Sequence, residues 1–249
     1  MAEKQEIVVA KIRQIPKLSV FFPAYNEEAN LKKTVEKALP TIRKWAAKYE
    51  IIIVNDGSQD KTGEIAYALA KKYPFIRVIH HSQNRGFGAA IKSGFYNAKY
   101  PWIFYTDADG QFDISEIAKL IEKQRVTSAD AVIGYYIKRQ VPFYRIIGSK
   151  VLWELPVFLL FGLKVRDIDC GFKLLRQKIF ATIPQLESER GPFISTEFLV
   201  KATRAGFKIV EVPVHHYPRV AGKATGASLK VILSGFSDLI RLRKKLNEK

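Results

Sequence analysis

Residues 50–58 read EIIIVNDGS. Three isoleucines and a valine in succession put stiff, β-branched side chains on both faces of an extended chain. A strand that is apolar on both faces must be covered on both, which is the pattern of a parallel sheet lying between helices. The flanking segments alternate to match. LSVFFPAY (18–25), IRVIHH (76–81), WIFYT (102–106) and ADAVIGYYI (129–137) read as strands. Between them, Leu31, Val35, Ala38, Leu39 and Ile42 keep a helical period, with Asn26 or Asn30 as the cap. DKTGEIAYALAKKY, GFGAAIKSGFYNA and ISEIAKLIEKQRV complete the helices of this half. Such alternation predicts an α/β fold: a doubly wound, mostly parallel central sheet with helices on both faces. Ligands of such sheets bind outside the carboxyl ends of the strands.

The second half is less regular. FYRIIGSKVLWELPVFLLFGLKV is strongly apolar, is broken by Pro156 and Gly162, and is too short to span a bilayer. It suits packing on the sheet or lying at an interface. RDIDCGFKLLRQKIFATI and ISTEFLVKATRAGF read as helical in their later parts. KIVEVPVHHYPRV reads as extended, and its two prolines place it at a sheet edge. Residues 227–249 read as a separate, basic amphipathic helix, with Leu229, Ile232, Leu233, Phe236, Leu239, Ile240 and Leu246 at helical spacing.

Three strands end in acidic or polar clusters: PAYNEE, NDGSQD and TDADGQ. Parallel strands present their carboxyl ends at one edge, so Glu27, Asp56, Asp107 and Asp109 should converge there. Converging carboxylates repel one another and call for a cation or donors. Asp107, Asp109 and Gln111 alternate along extended chain and project the same way. Hard oxygen ligands of this kind suit Mg²⁺ or Mn²⁺, with the shell completed by phosphate and water. Asp113 reads as a cap of the next helix. In NRGFGAA, Arg85, Gly86 and Gly88 open a helix, which fits either a diphosphate held by backbone N–H groups or a tight strand-to-helix turn. Neither a dinucleotide fingerprint nor a P-loop is present. Asp167 and Asp169 form a second D-x-D, read as a capped loop. Arg219 and Lys223 lie in a glycine-containing loop, where cations can close over phosphates, set against the plainer reading of surface charge.

These motifs occur in an order that resembles the family 2 glycosyltransferases of GT-A fold, and among them the polyprenyl-phosphate sugar synthases typified by dolichyl-phosphate mannose synthase. The resemblance covers residues 17–226, taken as the catalytic domain. It implies a nucleotide-sugar donor, GDP- or UDP-linked, a divalent cation and inversion at the anomeric carbon. By the same resemblance Pro23, Tyr25 and Glu27 contact the nucleotide. Asp56, with Val54 beside it, reads base or ribose, and Arg85 joins the donor contacts. Asp107, Ala108, Asp109 and Gln111 hold metal and diphosphate. Two positions differ from the mannose synthases. Tyr136 stands where they have an arginine, with Arg139 three residues on, and Thr225 stands where they have a lysine, with Lys223 nearby.

The acceptor implied is a polyprenyl phosphate, whose ionised oxygen needs orientation rather than a base. The alternative is a saccharide or other hydroxyl in cell-envelope polysaccharide synthesis. That acceptor requires a base, for which Glu197 is the candidate, set against the plainer reading of a helix-surface glutamate. The formal net charge of +17 fits an anionic partner. The basic residues are spread along the chain with no recognisable module, so nucleic acid is not expected. The apolar segment from Leu152 to Leu163 and the basic C-terminal helix fit peripheral attachment to the cytoplasmic face of a membrane, where a membrane-protein partner would also lie. The single cysteine, Cys170, fits a reducing compartment.

Overall fold

The computed structural model describes residues 14–137, 153–219 and 229–248. Arg139 and Lys223, and residues 143–152 of the apolar stretch, lie outside the described residues.

The first half follows the expected alternation. Strands β1 (Ile15–Ala24), β2 (Ala46–Asn55), β3 (Ile76–His80) and β4 (Trp102–Thr106) are separated by helices α1 (Leu31–Trp45), α2 (Thr62–Lys72) and α3 (Phe87–Asn97). β1 pairs parallel with β2 and β4, and β2 with β3. A short 3-10 turn, Ile114–Glu116, leads into α4 (Ile117–Thr127) and β5 (Ala131–Tyr136). Asp113 caps that turn, its Oδ1 accepting the Ser115 N–H at 3.0 Å.

The second half adds α5 (Leu155–Phe161), β6 (Phe172–Arg176), α6 (Lys178–Thr182), α7 (Phe193–Arg204), β7 (Ile209–Val214) and α8 (Leu229–Asn247). Among the described residues the sheet has seven strands, in the order β3-β2-β1-β4-β6-β5-β7. β6 is antiparallel to both β4 and β5, whereas β7 runs parallel to β5 at the sheet's edge. The helix expected in the later part of RDIDCGFKLLRQKIFATI is confined to Lys178–Thr182. FKLLR is a central strand with four of its five residues buried, and only the following KIFAT turns helical. Burial between two neighbours overrides the helix propensity of its leucines, lysine and arginine.

Alternation along the strands feeds two cores. Leu18, Val20, Phe22, Ile51 and Ile53 face α1, α2 and α4, and α1 contributes the five periodic residues together with Trp45. Phe21, Ile52 and Val54 face the other way, towards α3, α6 and α7. Leu239 and Leu242 of α8 belong to this second core, so the helix is packed on the domain. Arg243 donates to the Leu160 carbonyl at 2.6 Å, fixing α8 beside α5. Ile240, assigned to the apolar face by periodicity, is instead 69% exposed.

Candidate active site

The parallel strands deliver their acidic ends to one edge. Because β6 runs antiparallel, its start lies at that edge too, with Phe172 opposite Thr106. A cleft of about 550 Å³ opens there, bordered by Pro23–Tyr25, Glu27, Asp56, Asn84, Asp107–Asp109, Asp169, Arg190 and Arg219.

Arg219 crosses the cleft. Its guanidinium donates to Glu27 Oε1 at 2.8 Å and to Asp109 Oδ2 at 2.9 Å. Burial works against its charge, but the two carboxylates outweigh that and hold it above its ordinary value. The reach is set by a β-bridge between Phe112 and His216. Gln111 secures it, its carbonyl accepting from Tyr217 N and its side-chain amide donating to the Tyr217 carbonyl, both at 2.8 Å. Gln111 thus ties two loops together, with its side-chain nitrogen turned to the backbone of the Arg219 segment.

Asp107 is the most strained of the carboxylates electrostatically. Burial and the adjacent Asp109 push its carboxyl up to about 7, against the pull of Lys173 and Arg219 and with a further push from Glu27. Lys173 is a fully buried cation on β6, bonded to Tyr105 Oη and Ile168 O at 3.2 Å and to the Cys170 carbonyl. Gly171 touches Asp107 so closely that a Cβ there would lie 2.4 Å from Asp107 Oδ2. Asp167, read as a loop cap, accepts the N–H groups of Asp169 and Cys170 and shapes the turn that carries Asp169 to the cleft.

Asp56 behaves differently from the expectation. Its Oδ1 accepts from His81 Nδ1 at 2.6 Å and Arg85 N at 3.0 Å, and its Oδ2 from Asn84 Nδ2 at 3.0 Å and Gly86 N at 2.8 Å. Four donors fill both oxygens, leaving no free lone pair for a base or ribose, and the carboxylate instead folds the 84–86 wall. The same bonds occupy Arg85 N and Gly86 N, two of the backbone donors of the expected diphosphate cradle. Ala89 N is also taken, by the Glu189 carbonyl at 2.9 Å, and the Arg85 side chain pairs with Glu189 at 2.7 Å. Val54 is wholly buried in the second core and does not border the cleft. Pro23 and Ala108 are also buried, and Tyr25 is partly exposed, all three bordering the cleft.

Glu197 lies neither on a helix surface nor on the cleft. Its carboxylate is buried, accepts Glu187 N and Ser188 N at 2.9 Å, and pairs with Lys201 at 2.6 Å. With its oxygens engaged in this way it anchors the 187–192 loop, and the role of base facing an acceptor is corrected accordingly. Sequence reading missed Asn84, Asp169, Gly171, Lys173 and Arg190. Of these, Asp169 carried a signal in the repeated D-x-D, Gly171 and Lys173 lie in the same DIDCGFKLLR segment, and Asn84 opens NRGFGAA.

The described residues hold no group of three or more acidic, histidine or cysteine side chains placed to bind a metal unaided. The two crowded carboxylates, Asp107 and Asp109, nevertheless suit a cation whose other ligands come from phosphate and water.

Residues 19–183 match the family described as Glycosyl transferase family 2. The chain is 33% identical over 208 residues to Glycosyltransferase AglD of Haloferax volcanii, across 81% of this chain and 33% of that protein. It is 32% identical over 241 residues to Dolichyl-phosphate beta-glucosyltransferase ALG5A of Trichomonas vaginalis, across 90% of this chain and 72% of that one. It therefore spans about a third of the first relative's length and under three quarters of the second's. In fold it is similar to glucosyl-3-phosphoglycerate synthase of Mycobacterium tuberculosis, crystallised with Mn²⁺, UDP and glucosyl-3-phosphoglycerate. That likeness has a TM-score of 0.65 at 18% identity, over 91% of this chain and 78% of that one.

Proposed function

The chain belongs to glycosyl transferase family 2, and on that premise we propose that it moves a sugar, with inversion, from a nucleotide-sugar donor to a polyprenyl phosphate. The observation that carries the reading is the convergence of Glu27, Asp107 and Asp109 at the carboxyl ends of parallel strands, bridged by Arg219. A dolichyl-phosphate glucosyltransferase among the relatives supports the acceptor class.

Asp107 and Asp109 would hold Mg²⁺ or Mn²⁺, which supplies Lewis-acid stabilisation of the departing diphosphate. Burial favours this arrangement, because it makes the paired negative charge costly until a cation offsets it. Pro23, Tyr25 and Glu27 border the cleft on the β1 side and form the nucleotide wall. Arg219, on a loop fixed through Gln111, provides a second positive charge for phosphate oxygens. The acceptor's phosphate oxygen attacks the anomeric carbon as the bond to the nucleoside diphosphate breaks. That oxygen is ionised near neutral pH, so no protein base takes part. A hydroxyl acceptor would need one, and the engaged carboxylate of Glu197 does not support it.

The lipid acceptor also gives a use to the outer face of α5. Leu155, Phe158 and Leu159 are 47%, 41% and 70% exposed, and Ile240 of the adjoining α8 lies among exposed Arg241, Arg243 and Lys244. An apolar edge beside basic residues suits peripheral docking on the anionic cytoplasmic face of a membrane. No helix among the described residues is long and apolar enough to cross one.

The test is incubation with UDP- and GDP-sugars, Mn²⁺ and a short polyprenyl phosphate. Formation of lipid-linked sugar is the expected result. Transfer only to a saccharide, or no transfer from any donor, refutes the reading.

A further inference from the structure

Among the described residues the cleft border holds two guanidinium groups, Arg219 and Arg190, and the first is committed. Arg219 is bound to Glu27 and Asp109. Arg190, at the other end of the border, makes no ion pair or hydrogen bond through its side chain among the described residues. Its acidic neighbour is unavailable to it, because Glu189 is paired with Arg85 at 2.7 Å and Lys92 at 3.1 Å.

The stem of Arg190 is nevertheless held firmly. The Glu189 carbonyl accepts Ala89 N at 2.9 Å, and Glu197 clamps Glu187 N and Ser188 N. Gly86 presses against it, since a Cβ there would lie 3.1 Å from Arg190 Cα and 3.4 Å from Cγ. Gly86 has φ +102°, a conformation open to glycine, and Gly191 at φ +71° turns the chain into α7. A fixed stem carrying unspent, planar donors at the rim of a ligand cleft is what recognition of an oxyanion requires.

We propose that Arg190 is a phosphate-binding residue of this cleft, and that the buried Glu197–Lys201 pair acts as a positioning device by fixing the loop that presents it. The proposal rests on the glycosyl-transfer reading. The phosphate oxygens have two sources, the donor's diphosphate and the acceptor's phosphomonoester, and the experiment separates them.

Arg190→Ala and Arg190→Lys are compared with the wild type in three titrations: UDP with Mn²⁺, uridine with Mn²⁺, and a short polyprenyl phosphate in steady-state transfer. Arg190 is exposed, so both variants are expected to melt within about a degree of the wild type. A donor-side contact weakens UDP binding by about tenfold or more in Arg190→Ala and leaves uridine unchanged, because a charge-assisted bond is lost. An acceptor-side contact leaves UDP unchanged and raises the acceptor KM by a similar factor. Arg190→Lys falls between in either case, since it keeps the charge and loses the fork. If UDP affinity and acceptor KM both stay within twofold in Arg190→Ala, the proposal is overturned. A wild type that binds no nucleoside diphosphate overturns the glycosyl-transfer reading itself, a result distinct from equal binding by wild type and variant.

Discussion

Gly171→Ala separates the cation seat from the rest of the fold. A Cβ at residue 171 would sit 2.4 Å from Asp107 Oδ2, 2.8 Å from Cγ and 3.0 Å from Oδ1. Ordinary carbon–oxygen contact is ~3.3–3.6 Å, so the closest approach is short by about 1 Å. The backbone gives little, because the next residue, Phe172, is laddered to Thr106 in the middle of the sheet. The carboxylate therefore rotates, by about the missing 1 Å. Metal–ligand distances hold within roughly 0.2 Å, and disturbing the support of a ligand typically costs about 10–100-fold in metal affinity. The contact lies at the cleft edge, outside both apolar cores, so the cost in stability should be about 1 kcal/mol, or ~2–4 °C in melting temperature. Isothermal titration of Mn²⁺ with and without UDP, alongside thermal melts, reads both quantities. A variant that folds and binds Mn²⁺ within twofold of the wild type would show that Asp107 is not where the cation sits.

Four other perturbations have defined outcomes. Arg219→Ala should tighten Mn²⁺ binding while lowering turnover, because it removes a competing positive charge from Glu27 and Asp109 together with a phosphate contact; parallel loss of both would contradict the arrangement. Glu50→Gln should cost about 1–3 kcal/mol at pH 7, since Glu50 accepts from Ser19, Arg77 and Lys99 N. Burial raises the Glu50 carboxyl, but those donors outweigh it and hold it below the usual range, so the advantage is present above the unfolded carboxyl's pKa and fades as pH falls through the lowered one; urea melts should converge in acid. Gly94→Ala should lower stability by about 1–3 kcal/mol despite alanine's helix preference, because its Cβ would meet the Phe21 ring at 2.4 Å and that ring is stacked on Tyr105; a more stable variant in urea would refute the packing. Leu159→Asp should reduce co-sedimentation with anionic vesicles at low salt and leave nucleotide binding intact, and undiminished vesicle binding would remove α5 from the docking face.

The first half of the fold was legible because its signals are local. Leu31, Val35, Ala38, Leu39 and Ile42 share one helix face, and the EIIIV run faces two cores, so side-chain periodicity alone reports both. The acidic ends of β1, β2 and β4 converge because parallel strands leave no other choice. Where the reading failed, the deciding contact was remote. Asp56 looks like a ligand-facing acid in NDGS, but its four donors come from residues 81–86, and only folding brings them to it. FKLLR has helix-forming residues, and its insertion between β4 and β5 depends on partners about 70 and 40 positions away.

Glu197 shows why charge on a helix is a poor guide to site. Together with Lys201 it makes an i, i+4 pair of the kind that decorates solvent-facing helices. Every residue of α7 from Phe193 to Ala202 is buried, however, so the pair has no solvent to face. A buried carboxylate with only one cation would be costly, and the balance comes from two backbone N–H groups of the 187–188 segment. The chain must therefore fold back over α7 at that point, and this return carries Arg190 to the cleft border and Glu189 onto the start of α3. The charge that looked superficial in sequence is what closes one wall of the site, so removing it should disturb ligand binding through Arg190 even though Glu197 itself lies outside the cleft.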